Sequence, residues 1–295
     1  MKNSKKKTLI DSFFECTFFL PMRYTIGMLD RMFIFLTNLS AGMKSSAWRW
    51  WYQRLASYYQ KSDWRFMNYG YQPMRDLEPL PLDEEDEPNR LYIQLYDYVL
   101  QDVDLTGKRM LEIGSGRGGG CDYVARYKQP YQVYGVDYSP KAIKLSQSFY
   151  SQPNLTFMEG NSEKLPFKPN VFDVVYNIES SHCYGNMQAF ISEVERVLKP
   201  GGIFCWADLR TPKAMDKEEE LFEQSKLKIL LKEEITPNVL KALKLASKSK
   251  DKAIRASVPR FILQLFREFA AVKNTKIFNA FKSGSLEYWL YRLQK

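Results

Sequence analysis

From Asn89 onward the hydrophobic positions fall into two alternating rhythms. Over 89–103, near 119–128, over 140–150 and over 186–198 the chain reads as helix. Between these segments lie short apolar runs of strand length at 108–113, 132–136, 155–159 and 171–178, and IFCWADL follows a turn at Gly201-Gly202. Strands alternating with helices predict an α/β fold with a parallel sheet and right-handed crossovers. After Leu209 the rhythm changes. Residues 213–272 read as helices, one of them opened by Thr236-Pro237 as N-cap and N1, and LEYWLYRL forms a last strand.

Ahead of Asn89 the pattern is less regular. Residues 8–40 read as two amphipathic helices, because Asp11, Glu15, Asp30 and Arg31 interrupt the apolar runs. Neither run reaches the ~18 uninterrupted apolar residues of a membrane span. The pair either lies in a bilayer interface beside Lys5, Lys6 and Lys7 or packs on the domain as a cap. SSAWRWWYQRLASYYQ predicts an aromatic-rich helix capped by Ser45 or Ser46, and Gln72–Arg90 is an acidic, proline-punctuated link. The expected organisation is therefore an N-terminal helical extension over 1–45, then an aromatic helix, lid segment and acidic linker over 46–88. The main domain covers 89–295, with a helical insert at 213–272.

Charge and cysteine content narrow the setting. Residues 1–60 carry nine Lys/Arg against three Asp/Glu, and residues 240–295 carry thirteen against three, while the middle of the chain is acidic. Basic flanks around an acidic centre fit a local anionic partner such as a membrane surface; no nucleic-acid module is recognisable. Cys16, Cys121, Cys183 and Cys205 are scattered, which argues against a disulfide framework or a metal site and fits a reducing, cytoplasmic setting.

The densest chemical signal is MLEIGSGRGGG, with five glycines between Gly114 and Gly120 directly behind a predicted strand. Such a loop lets backbone approach a ligand at the N-terminal end of the following helix. Gly114, Gly116 and Gly119 satisfy GxGxxG, so a dinucleotide oxidoreductase has to be weighed, but that pattern alone is weak. Glu112 precedes the loop, where a carboxylate orients it or reaches an ammonium group. Asp137 ends the next strand, placed to accept two ribose hydroxyls. In GNSEKLPF, backbone and short polar side chains such as Asn161 and Ser162 are placed to read an adenine edge. VFDVVYNIESSHCYGN sets a polar cluster at the carboxyl end of another strand, where sites in open α/β sheets gather.

Glu112, the glycines, Asp137, GNSEKLPF and EVERVLKPGG together resemble the class I S-adenosylmethionine-dependent methyltransferases. The resemblance implies a Rossmann-like, doubly wound, mostly parallel seven-stranded sheet. It implies S-adenosyl-L-methionine as cofactor, with Gly114, Gly116 and Gly118 at its methionine part, Asp137 at its ribose, and Ser115 and Tyr138 among the cofactor-binding residues. Two departures stand out: Asn161 replaces the family's usual Asp, and only one strand is visible after the insert where the family forms a hairpin. The motifs FMNYGYQP, DEPNR, ESSHCY, WADLR and SGSLEYWLY, in that order, are similar to the phthiotriolone and phenolphthiotriolone dimycocerosate methyltransferases, over roughly residues 46–295. That likeness implies O-methylation of an apolar or lipid acceptor. It also implies that Tyr69 and Tyr71 belong to a lid over the cofactor.

His182 is the only histidine in the chain and lies just beyond a strand end at the expected cofactor side. A hydroxyl nucleophile needs a base of near-neutral pKa, so His182 is the candidate base. Glu179 either steers its imidazole or acts as the base itself. Asn177 and Ser181 are candidates for contacts to the cofactor or acceptor, and Phe261, Ile262, Leu263, Leu265, Phe266 and Phe269 for a wall of the acceptor pocket. Alternatives are C-methylation of a quinone or sterol-like acceptor, a nicotinamide-dependent enzyme, against which VLKPGG speaks, and a cofactor-binding module without catalysis.

Overall fold

The computed structural model describes residues 64–75 and 78–295, except for the side chain of Phe261. The expected amphipathic pair at 8–40 and the aromatic helix after Ser45 and Ser46 lie outside the described residues.

Helix α1 (Arg90–Leu100) precedes strand β1 (Arg109–Ile113), and α2 (Gly119–Tyr127), β2 (Gln132–Asp137), α3 (Pro140–Phe149), β3 (Leu155–Glu159) and β4 (Phe172–Ile178) follow. Then come α4 (Met187–Val197), β5 (Leu198–Arg210), α5 (Pro212–Gln224), β6 (Lys228–Glu234), α6 (Thr236–Ser257), α7 (Leu263–Phe269), α8 (Lys276–Ser283) and β7 (Glu287–Gln294). The seven strands form one sheet in the order β3-β2-β1-β4-β5-β7-β6. β1 to β5 pair in parallel, and β7 inserts antiparallel between β5 and β6. The order reverses direction at β1 and β4, which opens a crevice at their carboxyl ends.

Side-chain alternation explains the two layers of helices. Along β4 and β5, Val174, Tyr176, Cys205 and Ala207 face one core with α1, α2 and α6. Val175, Phe204 and Trp206 face the other with α4 and α5. Both faces being buried is what a mostly parallel sheet requires.

Three sequence expectations need correction. Residues 213–272 are not all helical, because β6 interrupts them. Lys228, Lys232, Glu233 and Glu234 around a short apolar run look amphipathic, but here they serve an edge strand, where charges discourage further pairing. β6 supplies the missing partner of β7. Thr236 does not cap α6: its Oγ1 accepts the Tyr288 N–H at 2.8 Å, and Ile235 is the N-cap. The Pro200-Gly201-Gly202 segment is a break of register inside β5, whose pairing jumps from Leu198 to Ile203.

Candidate active site

The carboxyl ends of β1, β2 and β4 border a cavity of about 210 Å³. Gly114, Ser115, Gly116, Asp137, Tyr138, Asn161, Ser162, Glu179, His182 and Tyr69 all line it. Sequence positions spread over more than a hundred residues thus meet in one place.

The glycine loop is held by backbone bonds before any ligand is considered. The Gly114 and Ser115 N–H groups both donate to Val136 O, at 2.7 and 3.0 Å. Gly114 has φ +79°, and a Cβ there would lie 2.2 Å from Ser180 Oγ and 2.8 Å from Tyr184 Oη. Gly118, at φ +84°, is the left-handed N-cap of α2, and a Cβ would strike Phe157 at 2.7 Å. Gly118 is absent from the cavity wall, and its left-handed backbone makes the turn into α2.

Asp137 joins two of the ligand-facing turns. Its Oδ2 accepts the Gly116 N–H at 2.9 Å, and its Oδ1 accepts the Ser139 N–H at 2.8 Å. Burial pushes its pKa up to about 6 against these two lowering bonds. A carboxylate offers about four lone-pair sites, so two remain for ribose hydroxyls. Asn161 Oδ1 accepts the Glu163 N–H at 2.9 Å, which shapes the loop beside it.

Two other expected contacts lie behind the wall. Glu112 is fully buried and accepts from Tyr96 Oη at 2.7 Å and Cys121 Sγ at 2.8 Å; burial raises its pKa to about 7. It anchors α1 and α2 to β1 and does not line the cavity. Asn177 is also fully buried, and its Nδ2 faces Ile113 O, Ser180 Oγ and Tyr184 Oη at 2.7, 2.7 and 2.9 Å. With two hydrogens shared among three acceptors, it staples the loop after β4 to the end of β1.

His182 follows β4 in a single 3₁₀ turn, Ser181–Cys183. Its Nδ1 lies 2.8 Å from Asp208 Oδ1, and its backbone N–H donates to Asp208 Oδ2 at 2.9 Å. Asp208 is fully buried at the end of β5. It also accepts from Ser181 Oγ at 2.6 Å and lies 3.1 Å from Arg210 Nη1. Trp206 Nε1 and Arg210 Nη2 both donate to Ser181 Oγ at 2.9 Å, and Arg210 Nε reaches Glu218 Oε1 at 2.9 Å. Burial alone would lower the His182 pKa, but Cys183 and the Asp208 carboxylate beside it raise it well above the ordinary histidine value. The Asp208 carboxyl is buried too, yet His182⁺ and Arg210 hold it well below the usual carboxylate range. Asp208 and Arg210 stand in the WADLR motif, but nothing in their sequence spacing ties them to His182. The only signal is that a carboxylate at the end of β5 neighbours the end of β4 in a parallel sheet.

The charges of Glu179 and His182 act on each other, and the Glu179 carboxylate also holds backbone and ring hydroxyl groups. Glu179 sits at φ +52°, and its Oε2 accepts the Tyr69 N–H at 2.8 Å and Tyr288 Oη at 3.1 Å. Burial raises its pKa to about 8. Its role is to fasten the irregular strap at 64–73 over the cavity. Within that strap Tyr69 lines the cavity and donates to Phe269 O at 3.2 Å. Tyr71 stacks on Tyr98 at 4.0 Å instead and lies away from the cavity. Of the apolar residues expected to wall a pocket, Phe269 lines it, while Phe266 is buried in a local cluster with Ile254 and Val258. The side chain of Phe261 is outside the described set.

The residues present fit an adenosyl sulfonium cofactor. Ser115 Oγ is buried in the cavity wall with no hydrogen-bond partner among the described residues, Asp137 retains acceptor capacity, and the loop is shaped for close approach. Sheet order, glycine loop and strand-end carboxylate together define a class I S-adenosyl-L-methionine-dependent methyltransferase. Residues 111–206 match the methyltransferase domain family. The phthiotriol/phenolphthiotriol dimycocerosates methyltransferase of Mycobacterium leprae (strain TN) is 37% identical over 256 residues, 87% of this chain and 94% of the relative. A fatty-acid O-methyltransferase of Mycolicibacterium smegmatis is 31% identical, over 77% of this chain and 81% of the relative. The geranyl diphosphate C-methyltransferase of Streptomyces coelicolor A3(2), solved with S-adenosyl-L-homocysteine, shares the fold at TM-score 0.60 and 18% identity, over 82% of this chain and 98% of that one. The chain belongs to the phthiotriol/phenolphthiotriol dimycocerosates methyltransferase family.

Proposed function

We propose that this methyltransferase acts on a hydroxyl of an apolar, lipid-like acceptor, and that His182 removes the hydroxyl proton. The carrying observation is the His182–Asp208 contact of 2.8 Å at the edge of the cofactor cavity. S-adenosyl-L-methionine, when bound, supplies an electrophilic methyl group. The chain's own part is to exclude water, hold the acceptor oxygen in line and take its proton. With Nδ1 held by Asp208, proton exchange toward the cavity falls to Nε2. The buried carboxylate then stabilises the imidazolium that forms. The strap at 64–73 acts as the lid, fastened through Tyr69 to Glu179. The names of the two relatives support a lipid-like acceptor.

The test is incubation of the enzyme and its His182→Gln variant with methyl-labelled S-adenosyl-L-methionine and a lipid extract. Label in a methyl ether of the organic phase supports the reading, label in a methyl ester speaks against a hydroxyl acceptor, and the variant should lose about 10²–10⁴-fold in turnover while binding S-adenosyl-L-homocysteine as before. Near-normal turnover of the variant would remove His182 from the mechanism. No described helix is long and apolar enough to cross a membrane. We place the enzyme at the cytoplasmic face of a membrane, its basic flanks on anionic lipid. Co-sedimentation with phosphatidylglycerol but not phosphatidylcholine vesicles is the expected result.

A further inference from the structure

A second cavity, of about 480 Å³, lies across the strap from the first. Trp64 to Tyr69 and Phe269 line both, so the strap is a partition with a chamber on each side. The second chamber is walled by Phe66, Tyr92, Ile254 and Ala270, which suits an apolar chain. Its charged groups are few. Arg65 is 3.5 Å from Asp86, and Glu85 is 3.4 Å from Arg126. Lys250 is different. Its ammonium meets no carboxylate within 4 Å among the described residues. It lies 5.1 Å from the Tyr92 ring centroid and 5.7 Å from that of Tyr69, with Ala270 O at 3.5 Å.

We propose that the second chamber takes an amphiphile with an anionic end, its carboxylate or equivalent group on Lys250 and its chain along the apolar wall.

A half-buried ammonium facing an apolar chamber is expensive unless an opposite charge or aromatic faces compensate it. The two tyrosine rings supply part of that compensation. Glu179 is a carboxylate whose charge acts on Lys250, but it is not within ion-pair distance, and its Oε2 is engaged by Tyr69 and Tyr288. An anionic ligand group supplies the rest. A second feature of the partition points the same way. Asn68 is buried and lines both chambers; its Nδ2 donates to Tyr92 O at 3.3 Å, and its Oδ1 has no partner among the described residues. An acceptor atom left open there calls for a donor on the ligand, such as a hydroxyl. An acid carrying both a chain and a hydroxyl satisfies both features.

The inference rests on the first cavity being the cofactor and transfer site, so binding is measured by calorimetry with S-adenosyl-L-homocysteine saturating. Dodecanoate and dodecan-1-ol are the probes. Dodecanoate should bind more tightly, and Lys250→Met should weaken it roughly 10- to 100-fold while leaving the alcohol within about twofold. Ala253→Trp, at an exposed position on the chamber rim, should weaken both probes. Equal binding of the two probes, or a dodecanoate affinity indifferent to Lys250→Met or to Ala253→Trp, overturns the proposal. Lys250→Gln replaces Lys250→Met if the latter does not bind S-adenosyl-L-homocysteine. Failure of the wild-type enzyme to bind S-adenosyl-L-homocysteine would overturn the cofactor-site reading and this proposal together, whereas the other failures leave that reading standing.

Discussion

Asp208→Asn separates charge from shape behind the candidate base. Asparagine fills the same space, but it removes the carboxylate that faces His182 Nδ1 at 2.8 Å and the His182 backbone N–H at 2.9 Å. A hydrogen bond to a charged group contributes about 1.5–3 kcal/mol, so its loss should lower the His182 pKa by roughly 1–2 units. Burial, which opposes the charged imidazole, then acts with less resistance. The assay is direct because the chain has a single histidine: ¹³C-labelled imidazole gives one titrating NMR signal. The wild-type signal should titrate above the ordinary histidine range, and the variant's below the wild type's. kcat/KM of the wild type should rise with pH through the same titration, since only neutral imidazole accepts a proton. Stability carries the matching sign. A raised native histidine pKa contributes stability that is complete below about pH 6.5 and lost as pH rises through the native value. The depressed Asp208 pKa contributes stability above about pH 3.9 that fades as pH falls toward the native value. A variant whose histidine titrates like the wild type's would refute the coupling and, with it, the orienting role of Asp208.

Two further outcomes follow from the same geometry. Gly114→Ala should cost about 1–3 kcal/mol in thermal unfolding, from left-handed strain and a Cβ 2.2 Å from Ser180 Oγ, and should also reduce S-adenosyl-L-homocysteine affinity by calorimetry. Glu179→Gln should leave turnover within about threefold, because a neutral isostere still accepts from Tyr69 and Tyr288, whereas Glu179→Ala should speed hydrogen exchange across 64–73; a large turnover loss in Glu179→Gln would make Glu179 the base.

Period and turn chemistry were enough to read the alternating half of the fold, because β1 to β5 are short apolar runs and all but β3 lead on to a helix. β6 escaped that reading. An edge strand buries little, so Lys228 and Glu234 keep a pattern that a helix shares. The site divides in the same way. Asp137 ends β2, Gly116 and Ser162 lie on the loops directly after β1 and β3, and their position along the chain already implies the cavity. Glu112 and Asn177 occupy equally suggestive positions, but their side chains turn to Tyr96 and Ile113, and no local rule encodes that. Asp208 was hidden for the opposite reason: its partner is 26 residues away and meets it only because β4 and β5 are neighbours.

The contact between Gly114 and the loop after β4 has an evolutionary consequence. Since a Cβ at 114 would collide with Ser180 and Tyr184, these three positions are epistatic, and substitutions among them are not independent trials. Trimming Ser180 to glycine should recover the steric part of the Gly114→Ala defect and leave the φ penalty behind. Drift in the polar loop that presents His182 is thereby restrained by the glycine turn beside it.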